Sequence, residues 1–124
     1  MTRITGILID AYGVLSTVSI DGTTSNTRLS GMYEHIECST VDVIGLEDGI
    51  DVWVDDEGLY MQEPNPTLTG MLRLTRPFQT HLSGAGLFLT TDDEGETLPL
   101  TPEQIATVIG WWQVASGVPA PTAA

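Results

Sequence analysis

Positive charge is almost absent from this sequence. Four arginines and no lysine stand against 17 aspartates and glutamates, which gives a formal net charge of −13 over 124 residues. A protein that binds nucleic acid needs a basic stripe to displace counterions from the phosphates, and anionic membrane surfaces likewise attract basic segments. The composition therefore argues against direct binding to nucleic acid and against docking to a membrane. Such acidity is typical either of a solvated, soluble surface or of a specific face for a basic partner, and composition alone does not distinguish the two.

Cysteine and long apolar runs are also scarce. Cys38 is the only cysteine, so the chain contains neither an internal disulfide nor a cysteine-rich zinc site. The first ten residues lack the apolar core of a signal peptide, and no later run reaches the length of a membrane helix. We therefore expect a cytoplasmic protein that is neither exported nor inserted by signals of its own.

The sequence does contain enough apolar material for one core. Hydrophobic residues make up 41% of the chain and include Trp53, Trp111 and Trp112, which is close to ordinary globular usage. We expect a single domain over residues 1–117. Residues 118–124 are expected to form a flexible tail rich in proline and alanine.

Three segments of the chain are predicted to form β-hairpins, because apolar and β-branched runs flank glycine-containing turns. The hairpins comprise residues 3–20 around Gly13, residues 50–62 around Asp55–Gly58, and residues 87–100 around Asp92–Gly95. The aspartates and the glycine of the last two turns are the residues that tight turns require. Both turns are therefore predicted to be exposed.

The segment between the first two hairpins is predicted to contain a strand. Residues Tyr33–Cys38 alternate between two sets of side chains with the period of a β-strand. Thr27–Met32 is expected to form at most a short helical turn, because Gly31 limits its length.

Two helices are predicted from their first residues. Asn65 is a typical N-cap and Pro66 a typical first helical residue, while Thr101–Gln104 forms a capping box for a helix over residues 102–115. The apolar stripe of this second helix consists of Ile105, Val108, Ile109 and Trp112. Because hairpins and helices do not alternate as βαβ units, the predicted fold class is α+β. The expected architecture is a mainly antiparallel sheet built from hairpins, with a short mid-chain helix and a C-terminal helix on one face.

Six short segments of the chain together resemble a known family. They are Gly6–Asp10 with Gly13, Gly31–Glu37, Asp51–Gly58, Pro64–Pro66, Leu82–Leu89 and Leu100–Gln104. In these segments the chain resembles the family called domain of unknown function 3846, which is carried by bacteriophages and bacteria. The resemblance implies no established activity, cofactor or catalytic residue. Residues 23–30 look shorter and more polar than the helix that the family usually places there, so no full helix is expected at that point.

No catalytic constellation is recognisable in the sequence. The acidic turns Asp55–Gly58 and Asp92–Gly95 lack the ligand spacing of a calcium-binding EF loop, and turn chemistry explains both. His35 and His81 are far apart in sequence, and Cys38 is predicted to be a buried, unreactive thiol. We therefore assign no catalytic, cofactor-binding or metal-binding residue, and we expect neither a cofactor nor enzyme activity.

Acidic residues and one tryptophan are the candidates for binding a partner. Six carboxylates fall within eleven positions, namely Glu47, Asp48, Asp51, Asp55, Asp56 and Glu57. Such a concentration of charge would speed the encounter with a basic surface. Trp111 is predicted to project about 100° from Trp112, onto the flank of the apolar stripe. It is either the edge of the core or a contact with another subunit or a host protein, where tryptophan is enriched.

Two functional hypotheses follow, with a minor third. The first is a non-enzymatic interaction protein, encoded by a phage or mobile element, that binds and blocks a basic host protein in the bacterial cytoplasm. The second is a small-molecule binder or sponge for a nucleotide signal, in which arginines from several subunits of a homo-oligomer converge on phosphates. The third is a metal-dependent enzyme that uses the acidic turns. A host protein retained in a salt-sensitive, stoichiometric complex would favour the first.

Overall fold

A computed structural model describes residues 2–57, 62–77 and 80–117 of the chain. Within these ranges the chain forms six strands, β1 (Arg3–Ile9), β2 (Leu15–Asp21), β3 (Val41–Gly45), β4 (Ile50–Asp55), β5 (Gly86–Thr91) and β6 (Thr97–Leu98). The same ranges contain three α-helices, α1 (Ser25–Ile36), α2 (Pro66–Thr75) and α3 (Pro102–Ser116). The predicted α+β class is confirmed. Among the described residues, no helix is both long and apolar enough to cross a membrane.

All six strands belong to one antiparallel sheet with the order β2-β1-β5-β4-β3, and β6 pairs with the far end of β5. Strand β5 lies at the centre, and its run Gly86–Thr90 is buried throughout. A central strand that is apolar at successive positions requires cover on both faces of the sheet. The sheet is accordingly packed on both sides.

The two faces of the sheet have separate cores. On one face, Ile7 and Phe88 pack with Leu68 of α2 and Val108 of α3. The predicted placement of the mid-chain and C-terminal helices on one face is therefore confirmed. On the opposite face, α1 packs against Leu87, Leu89 and their neighbours through its buried residues Met32 and Ile36.

The predicted third strand at Tyr33–Cys38 is wrong, because residues 33–36 are the last turn of α1. Thr24 caps the helix through a capping box with Thr27, and Met32 and Ile36 bury one face at a spacing of four residues. Gly31 does not end the helix. A Cβ at that position would lie 2.7 Å from Cβ of Ile20, so the glycine lets α1 approach β2 closely.

The predicted hairpin over residues 50–62 is also wrong, because β4 has β3 on one side and β5 on the other. Both hydrogen-bonding edges of β4 are therefore used by other strands. The true partner β3 precedes β4, and Asp48 and Gly49 connect them with φ of 58° and 74°. Ile50 N–H donates to the carbonyl of Glu47, which makes this a type I′ turn. Residues 58–61, with Gly58 and most of the predicted second strand, lie outside the described residues.

The other two predicted hairpins are confirmed, and their turns share one design. In the first, Oδ1 of Asp10 accepts hydrogen bonds from the N–H groups of Tyr12 and Val14. In the second, Oδ1 of Asp92 accepts from Glu94 and Glu96 in the same way. A glycine three positions after each aspartate has φ of 82° or 83°. The aspartate and the glycine therefore fix the backbone of both turns.

The predicted helix starts are confirmed as well. The side chain of Asn65 accepts from the N–H of Leu68, and Thr101 and Gln104 form the reciprocal capping box of α3. Helix α3 ends at Gly117, which adopts the left-handed conformation. The predicted tail over residues 118–124 lies outside the described residues.

Candidate functional site

The six carboxylates predicted as one binding cluster lie at two different ends of the sheet. Glu47, Asp48 and Asp51 lie at the beginning of β4, whereas Asp55 and its successors Asp56 and Glu57 lie at its end. A strand rises about 3.3 Å per residue, so the backbones of Asp51 and Asp55 are about 13 Å apart. The strand therefore divides the sequence cluster into two groups of three.

At the first end, the turn between β3 and β4 lies beside the turn between β5 and β6. Ile50 is paired with Thr90 in the sheet, and Oγ1 of Thr90 donates to the carbonyl of Gly49 over 2.8 Å. Strands β4 and β5 are far apart in sequence, so the spacing of the acidic residues gave no sign of this contact. We name the resulting surface the acidic end; it comprises Glu47, Asp48, Asp51, Asp92, Asp93, Glu94, Glu96 and Glu103.

Gln104 holds the parts of the acidic end together. Its Nε2 donates to the carbonyl of Asp48 over 2.8 Å and to Oγ1 of Thr90 over 3.0 Å. Its Oε1 accepts from the N–H of Thr101 in the capping box of α3. The first turn of α3, which carries Glu103, is thereby fixed against both hairpins.

The acidic end is largely exposed to solvent. Asp51 is half-buried and accepts a short hydrogen bond from the hydroxyl of Thr91, while the other seven carboxylates are exposed. Arg76 follows α2, and its Nη1 donates to the neutral carbonyl of Gly45 over 3.2 Å. The acidic end thus presents a field of negative charge on rigid turns.

At the opposite end, a groove of about 450 Å³ runs between the end of α1 and the end of β4. Its lining consists of Tyr33, Glu37, Cys38, Ser39, Asp55, Glu57 and Gln62. Asp55 accepts from Nε2 of Gln62 over 3.2 Å and from the N–H of Glu57 over 2.9 Å. The bond from Glu57 has the same form as the bonds from Tyr12 to Asp10 and from Glu94 to Asp92, in which the N–H two residues later donates to the aspartate. The carboxyl of Asp55 is therefore held in place by its own segment.

Cys38 is half-buried beside this groove rather than fully enclosed. Burial raises the pKa of its thiol above the ordinary value, and the nearby charge of Asp55 raises it further. A raised pKa leaves less thiolate at neutral pH, and the thiolate is the reactive form. Cys38 lacks the electropositive surroundings of a catalytic cysteine.

Alkylation of Cys38 by iodoacetamide at pH 8 will accordingly be slower than alkylation of free glutathione, and its rate will keep rising above pH 9. Asp55→Asn will speed the reaction, because it removes a negative charge that opposes the thiolate. The rates are measured by mass spectrometry of the intact protein across a pH series. A rate equal to that of glutathione, unaffected by Asp55→Asn, would contradict the raised pKa.

One family model matches most of the chain. Residues 4–113 match the model of a domain of unknown function, DUF3846. The chain belongs to this family. The matched range begins in β1 and ends in α3, so it covers all or part of every strand and helix described above. No curated protein and no solved structure matches the chain.

The two histidines of this DUF3846 domain lie on different sides of the sheet. His35 belongs to α1, which covers one face, and His81 lies in a groove with Pro64, Thr69 and Arg73 beside α2, which covers the other. The fold therefore does not unite them. Over residues 2–57, 62–77 and 80–117, no three His, Cys, Asp or Glu side chains are grouped to hold a metal ion.

Trp111 lies at the edge of the core of the DUF3846 domain. It is half-buried and packs, together with Trp112, against the cluster around Phe88. The indole N–H of Trp112 donates to the carbonyl of Gly13 over 2.8 Å, which ties α3 to the turn between β1 and β2. The exposed part of the Trp111 side chain is available to a partner. The buried part packs against the core, and this packing alone accounts for a tryptophan at this position.

Proposed function

We propose that the protein is a non-enzymatic binding protein whose acidic end docks on a basic surface of another protein. One observation carries this proposal: two hairpin turns and the first turn of α3 gather eight carboxylates on one end of the sheet. Fields of one sign attract oppositely charged surfaces over several ångströms and raise association rates by about 10 to 1,000-fold. A basic protein is the partner that such a surface fits.

The rigidity of the acidic end supports the same proposal. Asp92 fixes its own turn through two backbone N–H groups, and Gln104 fixes the turn at Asp48. Charges held on a rigid frame lose less conformational entropy on binding than charges on mobile side chains and loops. The carboxylates of Asp48, Asp93 and Glu94 remain exposed and are free to meet a partner.

The proposed partner is a host protein in the bacterial cytoplasm, and the proposed source of the chain is a phage or mobile element. The resemblance of the motif segments to a family carried by phages and bacteria supports this part of the proposal. Occupying a basic surface that otherwise contacts nucleic acid or another protein would block that surface. Inhibition of the host protein is therefore the expected consequence of binding.

Capture from host lysate with two charge-matched variants tests the proposed function. The first variant carries Asp48→Asn, Asp93→Asn and Glu94→Gln at the acidic end. The second carries Glu37→Gln, Asp56→Asn and Glu57→Gln at the opposite end and has the same net charge. The parent and the second variant are expected to retain a stoichiometric partner that elutes with salt, whereas the first variant loses it. Equal retention by both variants would refute the acidic end as the binding surface.

The positions of Arg28 and Arg73 do not favour the alternative of a nucleotide-signal binder within one chain. Arg28 lies on α1 and Arg73 on α2, and these helices cover opposite faces of the sheet. These two arginines would therefore need different subunits to meet on one phosphate. A lysate that yields no protein partner for the parent would move this alternative ahead.

A further inference from the structure

Strand β2 is one edge of the sheet. It pairs with β1 over seven consecutive residues without a bulge or a proline. Within residues 2–57, 62–77 and 80–117, no further strand follows β2 in the sheet order. Native proteins normally protect such an edge with charges, bulges or prolines, because it is a template for another strand.

The hydrogen-bond pattern shows which backbone groups of β2 face outward. Antiparallel pairs alternate between bonded and non-bonded positions. Gly22 N–H donates to the carbonyl of Thr2 at one end of the ladder, and Asp10 N–H donates to that of Val14 at the other. In the observed register, every second residue of β2 between these two pairs is bonded to β1. The N–H and carbonyl groups of Thr17, Ser19 and Asp21 therefore face away from β1.

The other edge of the sheet, β3, is protected by comparison. The outward N–H of Val43 donates to Oδ1 of Asp42 over 2.9 Å, and the carbonyl of Gly45 accepts from Arg76. On β2 one outward group has such a partner, since Nη2 of Arg3 donates to the carbonyl of Ser19 over 3.1 Å. Arg3 is exposed, so an incoming N–H group can replace it at this carbonyl.

A groove of about 540 Å³ lies between the outer side of β2 and α1. Its lining includes Arg3, Ser19, Asp21, Ser30, Glu34 and His35. The close approach of α1 at Gly31 forms the floor of this groove against Ile20. An extended segment paired with β2 would place alternate side chains over the groove. There Glu34 and Asp21, whose Oδ1 accepts from the N–H and hydroxyl of Thr23, supply two negative charges against the one positive charge of Arg3.

We propose that the outer edge of β2, with the groove beside α1, binds an extended peptide segment that carries lysine or arginine side chains. Main-chain hydrogen bonds to Thr17, Ser19 and Asp21 supply affinity, and the two carboxylates select basic side chains. A second copy of this chain fits less well, because each copy carries a net charge of −13. The proposed edge consists of residues other than those of the acidic end, and the proposal does not depend on the function proposed above.

Binding of a fluorescent peptide of alternating lysine and valine, followed by anisotropy at low ionic strength, tests this proposal. Thr17→Pro removes one outward N–H and leaves the bonds to β1 intact, because the N–H of residue 17 faces away from β1. Thr17→Val has the same charge and keeps that N–H. We expect Thr17→Pro to weaken binding at least tenfold relative to Thr17→Val. Arg3→Ala is expected to strengthen binding more than Arg28→Ala does, although both remove one positive charge.

Amide hydrogen exchange supplies a second measurement that needs no variant. Saturation with the peptide is expected to slow exchange at Thr17, Ser19 and Asp21, because their N–H groups gain acceptors. Unchanged exchange there, or equal affinity for Thr17→Pro and Thr17→Val, would overturn the proposal. Protection that rises with protein concentration alone would show that a second copy occupies the edge. Equal binding of a glutamate–valine peptide would refute the selection of basic side chains.

Discussion

Replacing Asn65 by leucine will lower the free energy of unfolding by about 3–5 kcal/mol. Asn65 is 1% exposed, and its Nδ2 donates to the carbonyls of Asp10 and Gly84 over 2.8 Å each. Its Oδ1 caps α2 by accepting from the N–H of Leu68 over 3.0 Å. A buried polar group left without its partner costs about 1–3 kcal/mol, and a lost N-cap about 1 kcal/mol. Leucine has the same number of side-chain heavy atoms and the same branch point but is larger, so no cavity forms and the loss combines missing hydrogen bonds with tighter packing.

The only other asparagine, Asn26, provides the control for this variant. It is exposed on α1, so Asn26→Leu is expected to change the free energy of unfolding by less than about 0.5 kcal/mol. Urea unfolding followed by circular dichroism measures both variants. A loss below about 1 kcal/mol for Asn65→Leu would show that this side chain does not join α2 to the turn between β1 and β2 and to Gly84.

Trp112→Ala will cost about 3 kcal/mol, and Trp111→Ala less than half as much. Both indoles are half-buried against the same core, but the hydrogen bond to the carbonyl of Gly13 is made by Trp112. Truncation of a buried tryptophan costs about 3–5 kcal/mol, and partial exposure of Trp112 places it at the lower end of that range. Trp112→Phe keeps most of the apolar contact and should lose about 1 kcal/mol with the hydrogen bond.

The same urea experiment ranks the three tryptophan variants. The expected order of destabilisation is Trp112→Ala first, then Trp111→Ala and Trp112→Phe, with the last two close together. If Trp111→Ala were the most destabilising, the contact between α3 and the turn between β1 and β2 would contribute little to the free energy of unfolding. Trp111 would then be a core residue and a poor candidate for partner contact.

Several elements could be predicted because their signals are local. Asn65 before Pro66 specifies a helix start within two residues, and the capping box of Thr101 and Gln104 does so within four. The turns at Gly13 and Gly95 likewise need only an aspartate three positions earlier. In each case the residues that decide the backbone are neighbours in the sequence.

Other elements were not predicted from the sequence, in the case of α1 because its local sequence signals were weak. Helix α1 has a polar first half and contains Gly31, whose role is a close contact with a strand. Its capping box joins Thr24 to Thr27 and so lacks the Glu or Gln of the usual sequence signature. The dipeptide Asp48-Gly49 is among the strongest signals for a two-residue hairpin turn, and it would have identified β3.

The acidic end could not be predicted from the sequence at all. Its two turns are brought together by the pairing of β4 with β5, whose residues Ile50 and Thr90 are far apart in the chain. Residues 47–57 form one charged run in sequence, but β4 separates the run in space. Sheet order decides which charges share a surface, and it depends on long-range packing that no local pattern encodes.

The association rate constant with the captured partner, measured by stopped flow across ionic strength, tests the proposed role of the acidic end most directly. The Debye length falls from about 10 Å at 0.1 M to about 3 Å at 1 M, so a steered encounter slows steeply with salt. The parent and the variant at Glu37, Asp56 and Glu57 are predicted to share this steep decline. The variant at Asp48, Asp93 and Glu94 is predicted to associate about tenfold more slowly at low salt, with a flatter decline. Identical rates for the two variants, or a parental rate independent of salt, would contradict binding through the acidic end.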